Sequence, residues 1–149
     1  MTNMDNVSKE KRSWIMSRIK GKNTKPEMVV RHMLHKMGYR FRLHGKVSKK
    51  ICRNGILPGK PDIVLAKYKT VIFVHGCFWH MHKNCNSWRM PKSNIKYWEE
   101  KLRYNVIRDA ENKEKIEKVG FRVVIIWGCE TRDLDELKKI ISKRIAFVN

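Results

Sequence analysis

The chain has 149 residues, with 34 Lys or Arg against 14 Asp or Glu and a formal charge of +20. That length suits one domain, able to bury roughly two-thirds of the surface its unfolded form exposes without help from disulfides. The basic excess runs from Lys9 to Arg144 and points to a polyanionic partner, because each neutralised phosphate releases condensed counterions. No apolar run approaches the length that spans a bilayer, and no signal-peptide pattern opens the chain, so a cytoplasmic, reducing setting is expected. Four cysteines in that setting suggest metal or redox chemistry rather than a disulfide scaffold. A basic protein of the ribosomal or chromatin type would share the charge, but not the side-chain chemistry described below.

Residues 1–8 are polar, and a short basic helix is expected from Lys9 to Lys20, with Trp14, Ile15 and Ile19 as its apolar positions. Thr24, Lys25, Pro26 and Glu27 have the form of a capping box, so a helix should follow, with Val30, Met33, Leu34 and Met37 on one face. Gly38 stands where a left-handed residue would end it. Tyr39, Phe41 and Leu43 alternate with Arg40, Arg42 and His44, the period of a half-buried strand. A basic loop from Gly45 to Gly59 leads to Pro61 and Asp62, and its Cys52 reads as incidental. Ile63–Leu65 and Val71–Val74 are further strands, the second apolar throughout and therefore central. Ser93 or Asn94 could cap a long helix with Ile95, Trp98, Leu102, Val106 and Ile116 on its apolar stripe, closed by Gly120. Asn105 and Asp109 fall near that stripe as inward-facing polar residues. Phe121–Trp127 is a fourth strand, and Leu134, Leu137, Ile141 and Ile145 mark a last helix begun near Asp133. This order predicts one α/β domain over residues 1–149 with a mixed sheet, in which 1–20 form an arm and 21–149 the core.

The chemistry is concentrated between Val71 and Cys85, where VIFVHGCFWHMHKNC places three His, two Cys, Phe78 and Trp79 within eleven residues of His75. Cys77, His82 and Cys85 have four and two residues between them, and Cys129 can join from the turn after the last strand. Three thiolates and one imidazole make the tetrahedral set that structural zinc prefers. His80 is an alternative to His82 in that set, which leaves one of the two for other work.

Asp62 stands behind a proline at the head of one strand, and the next strand runs into His75. This is the layout of the nuclease sheet whose signature is PD, then an acid, any residue and a lysine, which gathers Mg²⁺ at the strand ends. Here Phe73 takes the place of the second acid and His75 that of the lysine. His75 and His80 are candidates for the general base or for stabilising the departing oxygen, and Asp109 could orient one of them. Phe78 and Trp79, adjacent in one loop, cannot both face a core and suit insertion between base steps; Trp98 either joins them or packs.

LPGKPD at 57–62, VIFVHGCFWHMH at 71–82, YWEEKL at 97–102, NVIRD at 105–109 and VVIIWGC at 123–129 together resemble the very short patch repair endonucleases. The resemblance implies a restriction-endonuclease-like fold, flanked by helices and carrying a structural zinc site. It also implies a Mg²⁺-dependent nick on the 5′ side of the thymine in a T:G mismatch left by deaminated 5-methylcytosine. Carried over residue by residue, it makes Asp62 the catalytic magnesium ligand, assisted by the backbone carbonyl of Val74, and His75 and His80 the catalytic histidines. Cys77, His82, Cys85 and Cys129 match the zinc ligands, and Phe78, Trp79 and Trp98 the intercalating residues. Glu27 matches an acid near the site, which competes with its capping-box reading. Asn105 and Asp109 match polar helix positions near the scissile strand. The implied partners are mismatched double-stranded DNA and other mismatch-repair proteins, with the enzyme a monomer in the bacterial cytoplasm. Two other functions fit the residues less well: a restriction-type endonuclease cutting unmodified duplexes, and a non-catalytic zinc-stabilised DNA-binding module.

Overall fold

The structure, a computed structural model, describes residues 8–11, 14, 23–86 and 88–145. Its centre is a four-stranded sheet of β1 (Arg42–Leu43), β2 (Ile63–Leu65), β3 (Thr70–His75) and β4 (Arg122–Trp127), adjacent in that order. β1 with β2 and β2 with β3 are antiparallel, whereas β3 and β4 are parallel from Thr70↔Arg122 to His75↔Trp127. A parallel neighbour cannot be reached by a hairpin. The helix α2 (Ile95–Val119, 25 residues) supplies the crossover. Two further helices, α1 (Lys25–Lys36) and α3 (Leu134–Ile145), complete the domain. Among the described residues no helix is long and apolar enough to cross a membrane.

Strand side chains alternate between faces, so each strand feeds two cores. Ile63, Leu65, Ile72, Val124 and Ile126 point to α1 and α3, meeting Val30, Met33, Leu34, Leu137, Ile141 and Ile145. Val64 and Val71 point the other way, to Ile116 of α2, Phe121 and the loop residues Val47 and Leu57. Each fully buried Leu, Ile or Val contributes roughly 1.5–3 kcal/mol relative to exposure. The apolar stretch Val71–Val74 of β3, interior in the sheet, shares that contribution with β2, whose three residues are all fully buried.

The elements form where the sequence predicts, with local differences. The capping box of α1 is complete: Glu27 N–H donates to Thr24 Oγ1 (3.4 Å) and Thr24 N–H to Glu27 Oε2 (3.2 Å). Gly38 is left-handed at φ +88°, just past the cap. The predicted strand over Tyr39–Leu43 keeps its alternation but pairs only at Arg42 and Leu43, where β2 is within reach. Neither expected cap of α2 takes the expected form, since Asn94 occupies the cap position in a left-handed conformation (φ 51°) without a side-chain cap bond. The apolar stripe of α2 is also displaced: Trp98, Leu102, Asn105 and Ile116 are buried, while Ile95 and Val106 are exposed. Leu134 is likewise exposed, and Asp133 caps α3 through its Oδ1. Of the arm over 1–20, Lys9–Lys11 and Trp14 are helical after Ser8, and the rest, with Ile15 and Ile19, lies outside the described residues.

The stretch 45–59 is a folded ribbon rather than an open loop. Lys46 and Ile56 form a bridge, Val47 N–H donates to Gly55 O (3.0 Å) and Leu57 N–H to Gly45 O (2.9 Å). Cys52 packs against the core that Val47 and Leu57 enter, which gives that thiol a structural place.

Candidate active site

Asp62 precedes β2, and the antiparallel register of Ile63 with Ile72 brings it alongside the end of β3. Val74 N–H donates to Asp62 Oδ2 at 2.7 Å. Val74 therefore meets Asp62 through its amide. Glu27, only 2% exposed on the first turn of α1, reaches the same place, where its carboxyl acts on that of Asp62. Burial, and then this second carboxylate, push Asp62 up to about 8, against the pull of the Val74 amide and the Arg31 guanidinium. The second acid that the β3 sequence lacks thus comes from a helix. Its capping role and its place beside Asp62 coexist, because Oε2 takes the Thr24 amide while the carboxyl faces the sheet end. Arg31, one turn along α1, holds Glu27 Oε2 at 3.5 Å and Asn23 Oδ1 at 2.8 Å.

His75 ends β3 on the α2 side, buried, with its ring stacked on His80 (centroids 3.7 Å apart, planes 6° apart). His80 Nδ1 lies 2.5 Å from Asp109 Oδ2, so the carboxylate accepts Nδ1–H and leaves Nε2 as an acceptor. Of the two histidines, Asp109 orients His80. Burial and then the neighbouring His80 lower His75 to about 3, which makes it a neutral imidazole at physiological pH. A ring nitrogen of His75 and of His80 and a carboxylate oxygen of Asp109 lie within 4.8 Å of one another.

A second cluster lies beyond this one. One ligand atom each from Cys77, His82, Cys85 and Cys129 all lie within 4.8 Å of one another, with His82 Nδ1 3.5 Å from Cys129 Sγ. The loop brings His82 to the thiols and turns His80 to Asp109. Burial, and then hydrogen bonds and charge from Cys77 and Cys85, push the Cys129 thiol up to about 12. Thiols so crowded can ionise together only around a cation, and a three-sulfur, one-nitrogen set fits zinc. Cys129 lies on the 3-10 turn Gly128–Thr131 after β4. Arg144 of α3 clamps that turn, with Nη1 and Nη2 on the Glu130 carboxylate at 2.6 and 3.0 Å and Nη1 also on Ile125 O at 2.8 Å.

Phe78 and Trp79 follow Cys77 directly and pack with Trp98 in a triad, with centroid separations of 5.1, 5.4 and 5.8 Å. Phe78 and Trp79 are half-buried, whereas Trp98 is buried. The triad is thus a cluster with two partly open members rather than two free rings. Asn105, buried on α2, donates from Nδ2 to Trp79 O at 3.1 Å and fixes the loop to the helix.

Two residues of this region were not legible as site residues. Arg31 carried a signal, since it lies four residues after Glu27 on a helix. Trp127 carried none: it stacks on His82 (4.1 Å, 3°) and meets His75 edge-on (5.5 Å), forming a wall between the clusters. That contact depends on the His75↔Trp127 register of β3 and β4.

Known proteins share much of this sequence. The family model described as DNA mismatch endonuclease Vsr matches residues 4–87. The type II nicking enzyme V.NmeAIP of Neisseria meningitidis is 46% identical over 129 residues, covering 87% of this chain and 85% of that protein. The type II nicking enzyme V.XorIIP of Xanthomonas oryzae is 43% identical over 134 residues, covering 90% and 91%. The DNA mismatch endonuclease Vsr of Escherichia coli is 35% identical over 129 residues, covering 87% and 76%. With a carboxylate pair at the sheet end, an oriented His80 and this extent of shared sequence, the chain belongs to the Vsr family of DNA mismatch endonucleases.

Proposed function

We propose that this chain is a Mg²⁺-dependent endonuclease that nicks one strand of duplex DNA on the 5′ side of the thymine in a T:G mismatch. One observation carries the reading: Asp62 and Glu27 bring two carboxyl groups together at the Val74 amide, one residue before His75, whose ring stacks on the oriented His80. Family membership makes the chain a nuclease; the mismatch, the metal and the wedge belong to the proposal. Buried, mutually repelling carboxylates are hard oxygen donors that a divalent cation would relieve, so the donor set fits magnesium. Magnesium bound there would neutralise phosphate charge and make water more acidic.

The chain's own residues divide the remaining work. Asp62 and Glu27 would hold the ion, with the Val74 carbonyl as a further ligand. His80, oriented through Nδ1 by Asp109, presents Nε2 to accept a proton from the attacking water. His75, neutral at working pH, donates an N–H to a phosphate oxygen rather than a charge. Phe78 and Trp79, backed by Trp98, enter the stack beside the mismatch, where a few kcal/mol of unstacking opens the duplex. Asn105 holds the Trp79 backbone in place. Cys77, His82, Cys85 and Cys129 would hold zinc, which would fix this wedge relative to His75 and His80.

The test compares T:G and matched C:G duplexes, end-labelled on each strand in turn, with wild type and Asp62→Ala in the presence and absence of Mg²⁺. Wild type should nick only the thymine strand of T:G, and Asp62→Ala should not. Equal cutting of matched DNA would replace the mismatch reading with a restriction-type activity. Binding without cutting by wild type would leave a DNA-binding module.

A further inference from the structure

The proposed chemistry leaves the ribbon at 45–60 unused. Between Gly45 and Pro61 the chain carries Lys46, Lys49, Lys50, Arg53 and Lys60 and no acidic residue. All five are exposed, and among the described residues no ion pair joins any of them to a carboxylate. Such a run would be a solvated loop if it were unstructured, but its backbone is held. Ile51 and Cys52 N–H donate to Ser48 O at 2.9 and 3.2 Å, Lys50 N–H to Ser48 Oγ at 3.2 Å and Ile56 N–H to Asn54 Oδ1 at 3.1 Å. Gly55 takes the left-handed turn at φ +75° that brings the chain back. Val47 and Leu57, 8% and 1% exposed, anchor both limbs in the core beneath α2.

The ribbon is also tied to the site. His44 N–H donates to Asp62 O at 3.2 Å, so its root and the carboxylate that the proposed reaction uses share one backbone contact. We propose that the ribbon Lys46–Ile56, with Lys60, is a second DNA-contacting surface that grips backbone phosphates of the duplex outside the mismatch. A two-limbed ribbon with a fixed turn presents its cations without the ordering cost a loose loop would incur. Lysines and an arginine without nearby acids suit phosphate contact, which positions the duplex but does not read its sequence. This inference rests on the DNA-directed reading above and adds to it a surface built from residues other than those of the wedge.

The experiment measures Kd for T:G duplexes of about 12 and about 30 base pairs over a range of salt, without Mg²⁺, for wild type and Lys49→Gln/Lys50→Gln/Arg53→Gln. The slope of log Kd against log salt on the long duplex should fall by about 0.9 per lost phosphate contact, thus by up to about 2.7. The advantage of the long duplex should shrink, with the melting temperature unchanged. A control, Lys138→Gln/Lys139→Gln/Lys143→Gln on α3, removes the same charge from the opposite side of the sheet and should keep the wild-type slope. An unchanged slope in the ribbon variant, or an equal fall in both variants, overturns the proposal while wild-type nicking of T:G stands. A wild type that neither binds nor nicks the duplex overturns the functional reading and the ribbon surface together.

Discussion

The two ligand clusters of this chain are neighbours on one strand and loop, yet they are built in opposite ways. The sulfur set takes three of its four members from the nine residues Cys77–Cys85 and one from the Gly128–Thr131 turn. A metal ion held by all four would have a closed tetrahedral set, with no position for substrate. The carboxylate site takes Glu27 from α1, Asp62 from the head of β2 and the Val74 backbone from β3. Two carboxylates from separate elements, joined by the Val74 amide, would leave a divalent cation positions open to water and phosphate. On the proposed reading, the difference teaches that a closed set serves geometry and an open one serves reaction. The Trp127 ring, in contact with both His82 and His75, keeps them apart.

That contrast can be broken most directly by exchanging the expected phenotypes. Asp62→Ala should lower nicking by roughly 10³-fold or more while zinc content and melting temperature hold, measured by single-turnover cleavage and metal analysis. If zinc is lost as well, the two sites are not separable. Cys129→Ser should do the reverse, destabilising the fold by at least about 3 kcal/mol, equivalent to roughly 10 °C in melting temperature, and losing the bound zinc. A variant that keeps its zinc would remove Cys129 from the set.

Smaller effects sharpen the comparison. Asp109→Asn should slow nicking by about 10–100-fold with Mg²⁺ affinity unchanged, because it releases the His80 tautomer rather than a metal ligand. An unchanged rate would leave the 2.5 Å contact structural. Asp62→Asn probes the electrostatic cost of the open site. The Asp62 carboxyl rises from its ordinary 3.8 to about 8, so between those values the folded chain keeps a proton that the unfolded chain has lost. Stability contributed by that proton is present below the lower value and declines as pH rises through the window. Removing the group should therefore raise the Mg²⁺-free melting temperature at pH 8 by an amount equivalent to about 1–2 kcal/mol, with little change at pH 4. A constant offset at both pH values would contradict the assignment. Arg144→Ala should have the mildest effect, about 1 kcal/mol, with faster zinc release to a chelator as the Cys129 turn loosens. Equal release rates would confine the Arg144 clamp to the fold.

Much of this was legible in the residues because local rules carried it. The capping box at Thr24 and Glu27, the left-handed glycines at 38 and 120, and the apolar run of β3 are decided within a few positions of chain. The spacing of Cys77, His82 and Cys85 likewise confines three ligands to one loop. Asn105 faces inwards as its spacing predicts, whereas Val106, predicted on the stripe, is exposed, since helical spacing fixes a stripe only once its centre is known, and the sheet and the Trp79 backbone set that centre.

By itself, then, the sequence determined the order of elements, the thiol loop and the acid at Asp62, all of which follow from short-range spacing and side-chain chemistry. Tertiary structure decided which acid stands beside Asp62, which histidine Asp109 orients, and that Trp127 divides the clusters. Each of those contacts joins residues far apart in the chain, and nothing short of strand register and helix packing determines the distance between them. The ribbon from Lys46 to Ile56 belongs to both: its charge is written in the residues, and its rigidity comes from Val47 and Leu57 reaching a core that other elements build.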